Sequence, residues 1–236
     1  MKRIGVFDSG IGGLTVLEEL KKLLPNEDYL FYADSKNCPY GEKSDTELYD
    51  ITSNIVDYLI NKDCKIIVIA CNTATTRCIK CLRDKYKDMT FIGTEPAIKV
   101  ACDRDYKNIL VMATPATIAS ERTSILVNDN KKDYENVYLV PCEGLADAIE
   151  NDNFKKQDEI VSSIYNEYKD KEIDAIVLGC THYPHIKDLI SKFFSNAELL
   201  DGGAGVARET KRQLERMNML GTGLSPVVEI INSLDM

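Results

Sequence analysis

Short apolar runs and amphipathic stretches alternate along the chain. Apolar runs that are rich in β-branched residues and end in small polar ones are typical of strands buried in a parallel sheet. They predict strands at Arg3–Asp8, Tyr29–Ala33, Ile66–Ala70, Thr90–Gly93, Ile109–Ala113, Val137–Val140, Ala175–Leu178 and near Leu199-Leu200. Helical periodicity predicts helices from after Gly13 to about Leu24, at Asp45–Asn61, and at about Thr75–Tyr86, Ala116–Val127, Asp158–Lys171 and Val206–Met217.

This alternation predicts an α/β fold made of two similar three-layer α/β domains with mainly parallel sheets. The rhythm restarts after Glu95-Pro96, and 236 residues accommodate two domains, each of about 100 to 120 residues. No Gly/Ser-rich linker separates the halves, so we expect them to pack closely, with the active site in the cleft between them. The segment from Gly221 to Met236 is only weakly patterned.

One short phrase occurs twice, as Ile66–Thr73 and as Ala175–His182. In each, a cysteine, Cys71 or Cys180, follows the apolar run at the carboxyl end of a strand, where open α/β sheets bind ligands. A single cysteine is usually a core residue, but two in this setting indicate two half-sites for one substrate. The polar residues that follow and could hydrogen-bond a ligand are Asn72, Thr73, Thr181 and His182; helix capping would also explain the first three.

The segment Asp8–Gly13 is a glycine loop that opens the first helix. Backbone N–H groups at a helix start favour an anion, so the loop could hold a small carboxylate or phosphate. It lacks the third glycine of the dinucleotide fingerprint, where Thr15 stands, and no Gly-Lys-Ser or Gly-Lys-Thr follows it. The alternative is that the glycines only form a turn and that Asp8 only caps the helix.

Two further groups of cysteines and histidines are weaker candidates. Cys78 and Cys81 form a C-x-x-C inside a predicted helix, away from its start and without the second pair that a zinc site needs. We expect neither metal nor redox chemistry there. The only histidines are His182 and His185, and Pro184 breaks regular geometry between them. A shared metal is therefore not expected, and His185 is expected at the surface.

Charge and cysteine content limit the partners and the compartment. The chain has 29 Lys and Arg against 38 Asp and Glu, a net charge of −9, and no basic stretch interleaved with aromatics. Nucleic acid is therefore not an expected partner. No run reaches the roughly 18 to 20 apolar residues of a membrane span, and Met1-Lys2-Arg3 leads into a strand. The eight cysteines are expected as thiols in the cytosol.

Two opposed thiols suit one reaction in particular. Removing a proton from a carbon next to a carboxylate on one face, and returning one on the other face, inverts the centre. That requires a base and an acid on opposite sides. A cysteine at a helix N-terminus can be held as thiolate while its counterpart stays protonated. Nothing in the sequence requires a Schiff-base cofactor for this chemistry.

Four motifs occur in order: Ile4–Leu14, Pro39–Gly41, Ala70–Ala74 and Leu178–Pro184. Together they resemble the glutamate racemases of the aspartate/glutamate racemase superfamily, over about residues 3 to 215. The resemblance implies a racemisation of glutamate that needs no cofactor and no metal and supplies D-glutamate for peptidoglycan. It also implies a cytoplasmic enzyme, which we expect to be a homodimer.

The resemblance further implies roles for individual residues. Cys71 would take the Cα proton from D-glutamate, and Cys180 the one from L-glutamate. Asp8 would assist the first thiol and His182 the second. Positions that bind the amino and carboxylate groups of the substrate are Asp8, Ser9, Pro39, Tyr40, Gly41, Asn72, Thr73, Thr114, Thr117, Thr181 and His182. Glu150 matches, by a loose alignment, an acidic residue of the second domain.

The family arrangement implies a first domain of residues 1–97 plus 208–236 and a second of 98–207. The chain departs from the family at Ala113 and Pro115, where glycine and a non-proline residue are common, and at Gly202, where Asp-Ser-Gly is usual. It is also shorter than most relatives near Cys142 and in the tail. The short tail predicts that the last strand and helix of the first domain are absent.

Three alternatives remain open at this stage. A racemase of aspartate, or one of broad specificity, would differ in pocket size, which the sequence does not show. A non-catalytic carboxylate-binding protein on the same scaffold would use the cysteines only for packing. A thiol-disulfide or zinc protein based on Cys78 and Cys81 would bind metal or respond to redox conditions.

Overall fold

The structure is a computed structural model that describes residues 2–133, 135–223 and 225–236. Met1, Tyr134 and Leu224 lie outside the described residues. The predicted domain ranges and the predicted start Met1-Lys2-Arg3 include these residues, and at these three positions the predictions lie outside the described residues as well. The chain divides into two compact units. Unit 1 comprises Met1–Thr94 and Gly203–Met236, and unit 2 comprises Glu95–Gly202.

Strands and helices alternate in both units. In the described residues the strands are β1 (Arg3–Asp8), β2 (Tyr29–Ala33), β3 (Cys64–Ile69), β4 (Phe91–Gly93), β5 (Asn108–Ala113), β6 (Asn136–Pro141), β7 (Ala175–Leu178), β8 (Glu198–Asp201) and β9 (Val228–Asn232). The α-helices are α1 (Leu14–Leu23), α2 (Asp45–Asn61), α3 (Asn72–Lys85), α4 (Ile98–Asp103), α5 (Pro115–Ile118), α6 (Glu121–Asn130), α7 (Leu145–Glu150), α8 (Phe154–Tyr168), α9 (Lys187–Phe193) and α10 (Gly203–Arg216).

Unit 1 is built on a parallel sheet whose described strands have the order β4-β3-β1-β2-β9. Successive side chains of a strand point to opposite faces of a sheet. Val68 of β3 accordingly packs with α1 and α10 on one face, while Ile69 packs with α2 and α3 on the other. Because both faces are covered by helices, the central strands are mostly apolar, with Arg3, Asp8 and Lys65 only near their ends.

Unit 2 repeats this arrangement with the parallel order β6-β5-β7-β8 among its described strands. Leu178 of β7 packs with α7, α8 and α9 on one face, and Val177 packs with α4 and α6 on the other. The predicted α/β class, with two three-layer domains and parallel sheets, is therefore confirmed. Among the helices of the described residues, none is both long and apolar enough to cross a bilayer.

The unit boundaries lie at Thr94/Glu95 and at Gly202/Gly203, whereas the sequence prediction puts them at 97/98 and 207/208. The second difference follows from α10. This helix begins at Gly203 and packs against α1, so its whole length belongs with unit 1.

The expected absence of the last strand in unit 1 is wrong. β9 pairs in parallel with β2, from Tyr29↔Val228 to Ala33↔Asn232, and the 3-10 turn Ser233–Asp235 follows it. β9 is an edge strand in which no residue is fully buried. It therefore lacks the long apolar run that identifies a central strand.

The predicted helix at about Ala116–Val127 is two helices, α5 and α6. Between them Ser120 has an extended backbone, with φ −71° and ψ 143°, and its side chain accepts the N–H of Thr123. A serine in this conformation is an N-cap, which starts a new helix. The sequence prediction also omits α4, α7 and α9, because helices this short depend on packing more than on their own periodicity.

Candidate active site

Cys71 lies between the end of β3 and the start of α3. It is the N-cap residue of α3, with an extended backbone (φ −75°, ψ 121°), and it is 6% exposed. The N–H groups of a helix N-terminus favour negative charge, so this position suits a thiolate. As a thiol, Cys71 donates from Sγ to the Oγ of Ser9, 3.7 Å away. The folded chain thus brings two predicted site residues into contact.

Asp8 closes the glycine loop that follows β1. Its side chain is fully buried, and Oδ2 accepts the N–H of Gly13, 2.7 Å away. A Cβ at Gly13 would lie 2.6 Å from the Cβ of Asp8, so glycine is required there. Asp8 therefore stabilises the glycine loop by accepting the N–H of Gly13. Its assistance to Cys71 stays a prediction.

The loop after β2 carries Pro39, Tyr40 and Gly41, and the Cys38–Pro39 peptide bond is cis. Tyr40 is buried, and its hydroxyl donates to Oδ2 of Asp34 at 2.7 Å. Burial, followed by the charge of Asp34, holds the pKa of Tyr40 well above its ordinary value. The phenol is therefore neutral and bonded to Asp34, which leaves the main chain of this loop for contact with a ligand.

Asp34 is a residue of this region that the sequence prediction missed. Asp34 directly follows β2, just as the predicted site residue Asp8 ends β1 at the same edge of the sheet. That shared position is the signal that could have found it. Asp34 is 1% exposed. Burial raises the pKa of its carboxyl group, and hydrogen bonds from Tyr40, Asn37 and Ser233 partly oppose that rise.

The main chain on either side of Gly41 is held from α3. Arg77 donates to the carbonyl oxygen of Tyr40 at 3.4 Å and to that of Lys43 at 2.8 Å. Gly41 itself is exposed, and apart from its chain neighbours no described heavy atom lies within 4 Å of a Cβ built on it. The fold does not require glycine at this position, and the space beside it is open to a ligand.

Asn72 and Thr73 are the first residues of α3, and both are buried. The Oδ1 atom of Asn72 has no hydrogen-bond partner among the described residues. A buried acceptor without a partner is unfavourable. A ligand that donates a hydrogen bond would satisfy it.

In unit 2, three side chains lead from a thiol to a carboxylate. Cys180 follows β7, and its Sγ lies 3.7 Å from Nδ1 of His182. Nε2 of the same ring lies 2.7 Å from Oε2 of Glu150, the last residue of α7. Cys180 is 7% and His182 1% exposed, and the Glu150 side chain is 9% exposed. The loosely aligned Glu150 therefore contacts a predicted site residue.

This arrangement determines how the imidazole can act. An ionised carboxylate only accepts hydrogen bonds, so a His182 ring bonded to ionised Glu150 carries its proton on Nε2. Nδ1 is then an acceptor that faces Cys180 and can receive the thiol proton. A base held by a third group in this way is a recurring arrangement for activating a nucleophile.

Thr114 and Thr117 form the cap of α5. Thr114 Oγ1 accepts the N–H of Thr117 and lies 3.0 Å from its hydroxyl, while Thr117 is fully buried. Pro115 occupies the first turn of α5, where proline is favourable. Ala113 fills the space beside Gly179, since a Cβ at Gly179 would lie 2.8 Å from that of Ala113. Neither departure disturbs the turn, and the substrate contacts of Thr114 and Thr117 stay predictions.

The remaining predicted positions lie near the carboxyl ends of β7 and β8. Thr181 is buried beside Cys180, and His185 is exposed, as expected. In the segment that departs from Asp-Ser-Gly, Oδ2 of Asp201 accepts from Nζ of Lys187 at 2.8 Å.

The C-x-x-C pair lies on α3, as predicted. Cys78 is buried in the core beneath α2 and α3, whereas Cys81 is exposed, and both are thiols. Burial raises the pKa of Cys78. That is the opposite of the activation that redox or metal-binding cysteines need.

Comparison with known proteins extends these findings. Residues 4–210 match the family model described as Asp/Glu/Hydantoin racemase. A glutamate racemase of Clostridium perfringens is 44% identical over 220 residues, which are 92% of this chain and 84% of that protein.

Solved structures agree. Glutamate racemase isoform RacE1 from Bacillus anthracis has a TM-score of 0.83 at 28% identity, covering 98% of this chain and 88% of that one. Glutamate racemase from Francisella tularensis subsp. tularensis SCHU S4, solved in complex with D-glutamate, has a TM-score of 0.82 at 31% identity with the same coverages.

Two parallel sheets, each with a buried thiol just beyond a central strand, define an α/β enzyme of the amino-acid racemase class, an isomerase. The chain belongs to the Asp/Glu/Hydantoin racemase family. The resemblance to glutamate racemases that the four motifs indicate is confirmed.

Proposed function

We propose that this racemase interconverts L- and D-glutamate, with Cys71 and Cys180 as its two acid–base groups. The observation that carries the proposal is the buried thiol directly beyond a central strand, present once in each unit. The substrate is supported by the relatives named glutamate racemase and by the neighbour solved with D-glutamate.

The proposed reaction moves one proton at each thiol. From L-glutamate, the Cys180 thiolate takes the Cα proton, and the electron pair of that bond remains on Cα, next to the carboxylate. The Cys71 thiol then gives its proton to the opposite face. D-glutamate forms, Cys180 is left as the thiol and Cys71 as the thiolate. The reverse direction starts from that state, and no cofactor takes part.

Each thiol has its own assistance in this proposal. Cys71 lies at the N-terminus of α3, a helix of 14 residues, which favours its thiolate, and Asp8 assists it. His182, held by Glu150, takes the proton from Cys180 and so releases its thiolate. The two thiols would thus be activated by different physical means.

Polar groups around the thiols would hold the substrate. The buried Oδ1 of Asn72 suits the α-ammonium group, because that acceptor has no partner among the described residues. The other groups that we propose for the ammonium and carboxylate are those of Asp8, Ser9, Pro39, Tyr40, Gly41, Thr73, Thr114, Thr117, Thr181 and His182.

In the cell, this reaction would supply D-glutamate for peptidoglycan. We place the enzyme in the cytoplasm as a homodimer that needs no nucleic acid or membrane partner. These assignments accompany the proposed activity and depend on it.

The decisive experiment is circular dichroism of L-glutamate, and separately of L-aspartate, with the purified protein in reducing buffer without added cofactor. We expect the glutamate signal to decay and the aspartate signal to persist. Decay of the aspartate signal alone would contradict glutamate as the substrate, and a stable signal with both amino acids would contradict racemisation.

Cys71→Ala and Cys180→Ala should each abolish racemisation, whereas Cys81→Ala, at an exposed thiol, should retain it. Normal racemisation in Cys71→Ala or in Cys180→Ala would overturn the two-thiol mechanism.

A further inference from the structure

We infer that Ser233 and Asn232, at the end of β9, are positioning residues for the substrate loop of residues 34–41. The inference rests on the proposed function, which takes Pro39–Gly41 as substrate contacts. It gives the segment after β9 a part in the reaction, although this segment lies far along the chain from both thiols.

Two segments leave the sheet of unit 1 side by side at its carboxyl edge. Ala33, the end of β2, pairs with Asn232, the end of β9. Each strand then continues toward a 3-10 turn, Ser35–Asn37 after β2 and Ser233–Asp235 after β9. The parallel pairing of β2 and β9 therefore places the two turns next to each other.

Side chains join these two turns. The N–H of Lys36 donates to Oγ of Ser233 at 3.0 Å, and Nδ2 of Asn232 donates to Oγ of Ser35 at 3.2 Å. Ser233 is 5% exposed, so its hydroxyl is largely shielded from water. Through the N–H of Lys36, the Ser233 hydroxyl holds the main chain of the turn after β2.

Asp34 directly precedes this turn. The carboxylate of Asp34 accepts from Nδ2 of Asn37, in the same turn, at 3.0 Å and from the Tyr40 hydroxyl at 2.7 Å. Asp34 therefore connects the turn that Ser233 and Asn232 hold with the aromatic side chain of Tyr40 in the substrate loop. Asp34 and Tyr40 are both buried, so water does not readily replace a missing donor between them.

Tyr40 carries this constraint to the reaction site. It packs in the same cluster as Cys71 and Ala74. With the ring held at its hydroxyl by Asp34, the main chain of Pro39–Gly41 has little freedom. Loss of the Ser233 hydroxyl should loosen this loop without removing any group that would touch the substrate.

Steady-state kinetics of Ser233→Ala in both reaction directions tests the inference. We expect KM for both enantiomers to rise about fivefold or more while kcat changes less than about twofold, since the loop contributes to binding more than to the proton transfers. Ser233→Thr keeps the hydroxyl and should restore a KM near that of the wild type. Ser225→Ala, at an exposed serine of the same segment, is the matched control and should change neither constant.

Hydrogen–deuterium exchange of the same variants provides a readout that does not depend on activity. In Ser233→Ala, exchange should accelerate in residues 34–42 and stay unchanged in α8 of unit 2. Unchanged KM in Ser233→Ala would overturn the inference, whether or not exchange accelerates. An inactive wild type would contradict the proposed function, whereas an active wild type with an unaffected Ser233→Ala would contradict only the positioning role.

Discussion

The Sγ of Cys180 lies 3.7 Å from Nδ1 of His182, whose opposite ring nitrogen lies 2.7 Å from Glu150. Cys71, which likewise follows an apolar run and precedes polar residues, lies instead at the N-terminus of α3 and contacts Ser9. The two thiols therefore have different electrostatic surroundings. Substitutions that affect one environment should leave the other intact.

His182→Asn should impair proton abstraction by Cys180 and spare abstraction by Cys71. Racemisation should fall about 10²- to 10⁴-fold, and equally in both directions, because the two enantiomers have the same free energy. Deuterium wash-in at Cα distinguishes the thiols. Followed by proton NMR in heavy water, it should fall far more for L-glutamate than for D-glutamate.

Glu150→Gln should lower the same rates as His182→Asn but by a smaller factor. In this variant the His182 ring keeps a hydrogen-bond partner and loses only the neighbouring negative charge. His185→Asn, at an exposed histidine, is the control and should behave as wild type. Equal loss of wash-in from both enantiomers in His182→Asn would mean that His182 acts only on the structure.

Gly41→Ala should weaken substrate binding without affecting folding. Beyond its chain neighbours, no described heavy atom lies within 4 Å of the new Cβ, so the free energy of unfolding should change by less than about 0.5 kcal/mol. The methyl group would occupy space beside the proposed substrate contacts, and KM should rise. Urea denaturation and initial rates measure the two effects. An unchanged KM would remove Gly41 from the substrate site.

Gly13→Ala should destabilise unit 1 by about 1–3 kcal/mol, since forced overpacking has costs of this size. The new Cβ would lie 2.6 Å from the Cβ of Asp8 and 3.0 Å from the ring of Phe31. Gly205→Ala is the matched control in α10, where the nearest atom is 4.0 Å away. That substitution should stabilise the protein by about 0.5–1 kcal/mol through helix propensity. Urea denaturation measures both free energies of unfolding. A change of the same sign in both variants would contradict the packing described for Gly13.

Lys65→Met should be strongly destabilising because it leaves a buried carboxylate unpaired. Nζ of Lys65 lies 2.6 Å from Oε2 of Glu27, and the two side chains are 6% and 2% exposed. Removing one partner of such a pair costs about 3–5 kcal/mol. The control is Lys99→Met, whose pair with Asp103 is 64% and 60% exposed, so that the loss should stay below about 1 kcal/mol. Similar losses in urea denaturation would show that the Lys65–Glu27 pair is not buried in solution.

The buried thiol of Cys142 should make folding sensitive to alkali. Burial raises the pKa of Cys142 to about 12, whereas an unfolded thiol has a pKa of about 8.5. The native state therefore keeps its proton at pH values where the unfolded state loses it. The contribution of Cys142 to stability is complete at pH values below its pKa in the unfolded state. It is lost as the pH rises toward its pKa in the folded state.

This group alone should lower the free energy of unfolding by up to about 1.4 kcal/mol per pH unit above its unfolded pKa. Urea denaturation at several pH values between about 8 and 10 should show a shallower decline for Cys142→Ala than for the wild type. Cys81→Ala, at an exposed thiol, should retain the wild-type slope. Equal slopes in all three proteins would contradict the raised pKa.

Local pattern was sufficient for the α/β class, for β1, β2 and α2 with their observed bounds, and for the two cysteines beyond their strands. The reason is that a strand buried on both faces is apolar over most of its length, and such a run can be recognised in the sequence. The sequence pattern did not predict the short helices or β9, because these elements are stabilised by neighbours that lie elsewhere in the chain.

The contacts that give the site its chemistry required the folded chain. His182 meets Glu150 across 32 residues and Lys36 meets Ser233 across 197, separations that leave no periodic trace in the sequence. The burial of Asp34 and its bond with the Tyr40 hydroxyl likewise exist only in the folded chain, although its place at the end of β2 is visible in the sequence. Hydrogen bonds between distant side chains depend on which strands pair and what they exclude from water, and these are properties of the tertiary structure.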